Sequence, residues 1–179
     1  MANYKIVFAG PVGSGKSTAI ASLSDTAPVS TDERARDMAA DRKPTTTVAM
    51  DYGTMRLEGG ENGHLFGTPG QERFDFMWDI LTEGGLGLIL LIDNTRDHPF
   101  QDMKFFLDAF KDYIEKTALC VGITRMDLRR SPGIAAHARQ LATYGYRAPV
   151  FSVDARERPD VVSMTQALLY SMDPGVSFQ

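Results

Sequence analysis

Apolar residues fall along the chain in two kinds of run. The first kind is short and unbroken: Ile6-Val7-Phe8-Ala9, Gly87 to Asp93, Ala118 to Ile123 and Pro149 to Val153. Runs of strand length without polar alternation read as strands covered on both faces. The second kind recurs at helical spacing. Phe100, Met103, Phe106, Leu107 and Phe110 predict one helix from about Pro99 to Ile114, and further helices are predicted near Thr18–Leu23, Glu72–Thr82, Ile134–Tyr144 and Val161–Tyr170. Two more strand-like runs, Val48–Leu57 and His64–Thr68, flank Glu58-Gly59-Gly60-Glu61-Asn62-Gly63, turn chemistry that predicts a hairpin. The polar stretch from about Ser24 to Thr47 has no sustained period and reads as a mobile loop with a short helix near Glu33–Ala40. Strands alternating with amphipathic helices predict an α/β fold: a three-layer, doubly wound, mostly parallel sheet, with one antiparallel strand from the hairpin.

The first strand-like run leads straight into Gly10-Pro11-Val12-Gly13-Ser14-Gly15-Lys16-Ser17, followed by Thr18 and a helical pattern. This is the spacing and context of a phosphate-binding loop. Glycines let successive backbone N–H groups turn inward to form an anion cradle, and the helix behind it aims its positive end at the same place. Lys16 is expected on the β- and γ-phosphates of a nucleoside triphosphate, with the Ser17 hydroxyl on Mg²⁺.

Composition narrows the partners. The chain has 179 residues and a net charge of −4, with no basic cluster, which argues against nucleic acid or an anionic membrane surface. Residues 1–179 read as a single domain. The single cysteine, Cys120, lies in an apolar run and reads as a small buried hydrophobe. No stretch reads as a signal peptide, spanning helix or lipid-anchor motif, so the expectation is a cytoplasmic protein without a direct membrane anchor. His64, His98 and His137 lack metal-like spacing and receive no chemistry.

Gly67-Thr68-Pro69-Gly70-Gln71-Glu72-Arg73-Phe74 leaves a strand and opens a helix. With the loop at Gly10, it resembles the second switch of Ras-like small GTPases, and the likeness runs over essentially the whole chain. The resemblance implies GTP and GDP as substrate and product, with the Gly70 N–H on the γ-phosphate and Gln71 orienting the attacking water, as in Ras itself. Thr124-Arg125-Met126-Asp127 resembles a variant of the guanine-reading motif Asn-Lys-x-Asp. A carboxylate there accepts hydrogen bonds from guanine N1–H and the amino group, donors that adenine lacks. The Arg125 stem would lie along the base, and Thr124 in place of asparagine loses an amide tether. Asp154-Ala155-Arg156 stands where the family has Ser-Ala-Lys, which would put the Ala155 N–H on guanine O6. Within Thr45-Thr46-Thr47, Thr46 or Thr47 is the expected second Mg²⁺ ligand, unless the run merely reflects strand propensity.

The chain also departs from the family. Gly67 stands where an aspartate supports Mg²⁺. Asp51, on the paired strand, is expected to substitute through water, the alternative being a solvated strand aspartate. Val12 replaces a glycine beside the γ-phosphate and would crowd an arginine finger, so slow hydrolysis or a different arginine geometry is expected. Arg34, Arg36 and Arg42 are candidates for an arginine in cis, the alternative being solvated surface residues. These departures resemble the prokaryotic MglA-like GTPases, including those of conservon-type operons, which implies a Roadblock-fold activator or co-regulator. Phe74, Met77, Trp78 and Leu81 share one face of the second-switch helix and read as core packing, which leaves Phe76 and part of Trp78 outward as candidate partner anchors. A catalytically weak nucleotide-binding signalling module is the alternative. A small-molecule kinase is opposed by the switch signature and by the absence of an arginine-rich lid.

Overall fold

The computed structural model describes residues 3–30, 50–57, 59–68 and 82–172. In chain order these form β1 (Asn3–Ala9), α1 (Lys16–Leu23), β2 (Val29–Ser30), β3 (Asp51–Arg56), β4 (Asn62–Gly67) and β5 (Gly87–Asp93). There follow α2 (Pro99–Ala109), α3 (Lys111–Lys116), β6 (Ala118–Thr124), α4 (Ile134–Thr143), β7 (Val150–Val153) and α5 (Arg158–Met172). The strands make one seven-stranded sheet in the order β2-β3-β4-β1-β5-β6-β7. β3 is antiparallel to both neighbours, β2 and β4, whereas β4-β1-β5-β6-β7 pair in parallel, so one strand runs against the rest. The fold is α/β, of the P-loop nucleotide-binding type.

The unbroken apolar strands are explained by burial on both faces. Along β1, Ile6 and Phe8 join one core with Ile20 and Leu23 of α1 and Met164 and Leu168 of α5. Val7 and Ala9 point the other way, into a core with Met103 and Leu107 of α2 and Leu141 of α4. β5 divides likewise, Ile89 and Leu91 against Leu88, Leu90 and Ile92. Every residue of β5 is buried, so an alternating pattern would leave one layer of helices unpacked.

Some elements differ from the sequence expectation. Val29–Ser30 is an edge strand within the stretch read as loop; two residues carry no period to detect. The helix expected over Pro99–Ile114 breaks at Phe110, whose ring is buried and whose φ of −101° and ψ of 13° end α2. α5 begins three residues before Val161, with Pro159 in its first turn, where a missing N–H costs nothing. Most of the helix expected at Glu72–Thr82, with Phe74, Phe76, Met77, Trp78 and Leu81, lies outside the described residues.

Register positions the chemistry. Asp93 pairs with Thr124, and Thr124 with Val153, so β5, β6 and β7 end level with one another. β3 runs the opposite way, so its first residue, Asp51, lies at that same edge, opposite Gly67. Arg158, at the start of α5, donates to the carbonyls of Ser22 and Leu23 at 3.0 and 2.8 Å and pairs with Asp25 at 3.0 Å. Asp25 also accepts the Arg56 N–H at 2.7 Å, which joins α1, β3 and α5.

Candidate functional site

The loop after β1 is shaped by close approach. Gly10 has φ 146°, and a side chain there would begin 2.1 Å from the Leu91 carbonyl oxygen. The loop therefore crosses the end of β5 with no room for a Cβ. Gly15 caps α1 at φ 100° and offers no side-chain cap, so the first-turn N–H groups of Lys16, Ser17 and Thr18 face outward without helical acceptors. No acidic residue stands in that turn, and a Cβ at Gly13 would meet nothing within 4 Å. The Ser14 hydroxyl is buried without a partner among the described residues. Open donors at a helix N-terminus, with space before them, fit a phosphate group.

Lys16 is buried and folds back over this loop, donating to the carbonyls of Gly10 and Pro11 at 2.7 and 2.9 Å. Burial pushes its ammonium down to about 8, against the opposing pull of the Asp51 carboxylate. Val12 is 55% exposed at the loop's outer edge.

The Ser17 hydroxyl donates to Asp51 Oδ2 in a very short hydrogen bond. One hydroxyl and one carboxylate oxygen beside the phosphate loop are hard donors. They fit Mg²⁺, which is commonly held by one or two carboxylates together with substrate phosphates and water. The described residues contain no group of three or more His, Cys, Asp or Glu suited to a metal. Thr46, Thr47, Gly70 and Gln71, and the arginines Arg34, Arg36 and Arg42, lie outside the described residues.

A cavity of about 290 Å³ joins the phosphate loop to the ends of β6 and β7. Ser14, Gly15 and Thr18 line one side, and Thr124, Asp127 and Ala155 the other. A Cβ at Gly15 would lie 3.1 Å from the Ala155 Cβ, so small residues set this approach from both sides. The Thr124 hydroxyl donates to the Ser14 carbonyl at 2.9 Å and approaches that of Ile92 at 3.3 Å. A hydroxyl bond thus joins the end of β6 to the phosphate loop at the position where the family has asparagine.

Arg125 has φ 59°, unusual for a residue with a Cβ, and its guanidinium pairs with Asp93. Asp93 is buried and fully engaged, its other oxygen accepting the Thr95 N–H and hydroxyl at 2.8 and 2.6 Å. Sequence reasoning passed over Asp93; the available signal was a carboxylate closing an otherwise apolar strand. Arg156 forms a bidentate pair with Asp154. Together with the Arg156 N–H, it holds the Asp154 carboxyl down to about 2.

Fold and loop together define a nucleotide-binding P-loop protein. The chain belongs to the family described as conserved hypothetical ATP binding protein, whose model matches residues 25–144. Over 166 residues, 89% of its length, it is 26% identical to a Ras and EF-hand domain-containing protein of Danio rerio, covering 23% of that protein. A 50-residue stretch, 28% of the chain, is 36% identical to an uncharacterized protein of Methanocaldococcus jannaschii, covering 32% of it. In each case the match spans less than a third of the relative. No described helix is long and apolar enough to cross a membrane.

Proposed function

We propose that the chain is a single guanine-nucleotide-binding domain, residues 1–179, that acts as a cytoplasmic GTP/GDP switch with slow intrinsic hydrolysis. One observation carries the reading. The cavity beside the phosphate loop is walled by the Asp127 carboxylate and by Ala155, acceptor and close-approach backbone of the kind that guanine requires. The Ras-domain relative supports it. The family description names ATP binding instead, so the base is the first point to test.

In this reading Lys16 and the first-turn amides of α1 hold the phosphates, and Gly70 and Gln71 serve the γ-phosphate and the attacking water. Ser17 and Asp51, with Thr46 or Thr47, would hold Mg²⁺, which when bound neutralises charge on the β- and γ-oxygens. Val12 at the loop's edge and Gly67 in place of an aspartate both favour a low rate. They also keep open the second reading, a nucleotide-binding signalling module with little catalysis. The MglA-like pattern adds a Roadblock-fold partner.

The deciding experiment is thermal melting of nucleotide-free protein with Mg²⁺ and GDP, GTP, ADP or ATP. A ligand at about 100 times its dissociation constant adds ~2.7 kcal/mol, a rise of roughly 5–11 °C for a domain of this size. A shift with guanine nucleotides alone is expected. An equal or larger shift with adenine nucleotides overturns the guanine reading. Single-turnover hydrolysis with and without Gln71→Leu then separates switch from module.

A further inference from the structure

His137 is wholly buried in the first turn of α4, ten residues after Asp127. Its Nε2 lies 2.8 Å from Asn94 Oδ1, while Nδ1 has no hydrogen-bond partner among the described residues. The surroundings fix how this pair is protonated. The Asn94 amide nitrogen donates to the carbonyls of Arg129 and Pro132 at 2.6 and 3.1 Å, so its oxygen must be the atom facing the imidazole. An oxygen accepts, so Nε2 carries the hydrogen and Nδ1 is the bare nitrogen. The Phe100 ring stands edge-on to the imidazole at 5.0 Å, and a helix N-terminus is a poor place for a cation. Burial accordingly pushes the imidazole down to about 4.

What this pair holds is the segment carrying Asp127. The loop from Arg125 to Gly133 is pinned to the end of β5 at its start by Asp93 on Arg125. Further along it is pinned by Asn94 on Arg129 and Pro132, and the Asn94 N–H also donates to the Thr124 carbonyl at 3.1 Å. Asn94 is itself wholly buried. The imidazole N–H, together with the Arg129 and Pro132 carbonyls, sets the orientation of its amide.

We propose that His137 and Asn94 are positioning residues for base recognition: the imidazole orients the Asn94 amide, and the amide holds the Arg125–Gly133 loop so that Asp127 faces the cavity. The inference rests on the base-reading role of Asp127 proposed above. Neither residue lines the cavity, so their effect falls on the base and spares the phosphates.

The test measures affinities of the full chain for GDP, IDP, ADP and inorganic pyrophosphate, in wild type, His137→Leu and His137→Gln. IDP lacks the amino group offered to Asp127, so the GDP-to-IDP ratio reports on that carboxylate. Expected for His137→Leu is a loss of about tenfold in GDP affinity, the size of one net hydrogen bond, with a reduced GDP-to-IDP ratio and unchanged pyrophosphate binding. His137→Gln, which can donate toward Asn94, should recover most of it. Equal loss for GDP and pyrophosphate, or no loss at all, overturns the positioning role. A wild type that prefers ADP sinks the guanine reading alone, and His137→Leu is then judged by its loss of ADP against pyrophosphate. Should His137→Leu not fold, histidine-selective ¹⁵N spectra of the wild type carry the test. An Nε2–H tautomer whose signals move with GDP and not with pyrophosphate is expected; an Nδ1–H tautomer refutes the proposal.

Discussion

Asp51 and Gly67 face each other across β3 and β4, and a Cβ on Gly67 would lie 3.2 Å from the Asp51 Cβ and 3.3 Å from its Oδ2. The Asp51 carboxylate, bonded to Ser17, thus crowds the space that a side chain at Gly67 would enter. Gly67→Asp alone should therefore destabilise the protein by about 1–3 kcal/mol through overpacking, with two carboxylates forced together. Asp51→Gly should weaken Mg²⁺-dependent nucleotide binding. The double variant Asp51→Gly/Gly67→Asp should be better than the two single effects summed, since the carboxylate then approaches from the other strand. Denaturant melts and Mg²⁺ titrations through a double-mutant cycle measure the coupling. Additive effects would show that the two positions do not share one role.

Thr124→Val keeps the shape of the side chain and removes the donor to the Ser14 carbonyl. A stability loss of about 1 kcal/mol is expected from the missing hydrogen bond, together with faster nucleotide release, because the bond joins β6 to the phosphate loop. Thr124→Ser should retain both. Urea melts and fluorescent-nucleotide release check the pair.

Lys16 gives opposite pH trends for folding and binding. Its folded value of about 8 lies below the ordinary 10.5, so holding it charged costs stability below pH 8, and that cost fades as pH rises toward 10.5. Bound phosphate favours the charged form and raises the value. Affinity is then greatest below pH 8 and falls above it, with proton uptake on binding. Calorimetry in buffers of different ionisation heat measures the uptake. Binding without proton exchange near pH 8.5 would contradict the burial described.

His137 acts at the acid end. Its folded value of about 4 lies below the ordinary 6.5, so the unfolded chain takes up the proton first. Stability from this group is complete above about pH 6.5 and is lost as pH falls from there to 4, by ~3 kcal/mol at most. His137→Gln should flatten that part of the pH–stability curve. An unchanged slope would place the acid sensitivity elsewhere.

The legible parts of this protein were those whose constraint is local. A phosphate loop needs glycines at fixed spacing, and a strand such as Leu88–Ile92 must be apolar throughout if both faces are covered, so residues alone point to both. The placement of Asp127 and Ala155 in one cavity followed from each standing just after the end of a parallel strand. The contacts of Asp93 with Arg125 and of Asn94 with His137 join residues 32 and 43 positions apart. Such pairs exist only once register is set, and a lone histidine in a helical pattern carries no mark of what it faces. The partner of Thr124 is hidden for a related reason. The residue type suggests a lost amide, whereas the Ser14 carbonyl it meets, 110 positions away in sequence, accepts a hydroxyl equally well.

The bonds from Arg158 to the end of α1 span 136 and 135 positions. A ribosome delivers the phosphate loop well before Arg158. α1 thus emerges long before the helix that secures its far end and fills the core beneath it with Met164 and Leu168. A growing chain holds the ligand-binding sequence well before it holds the support for that sequence.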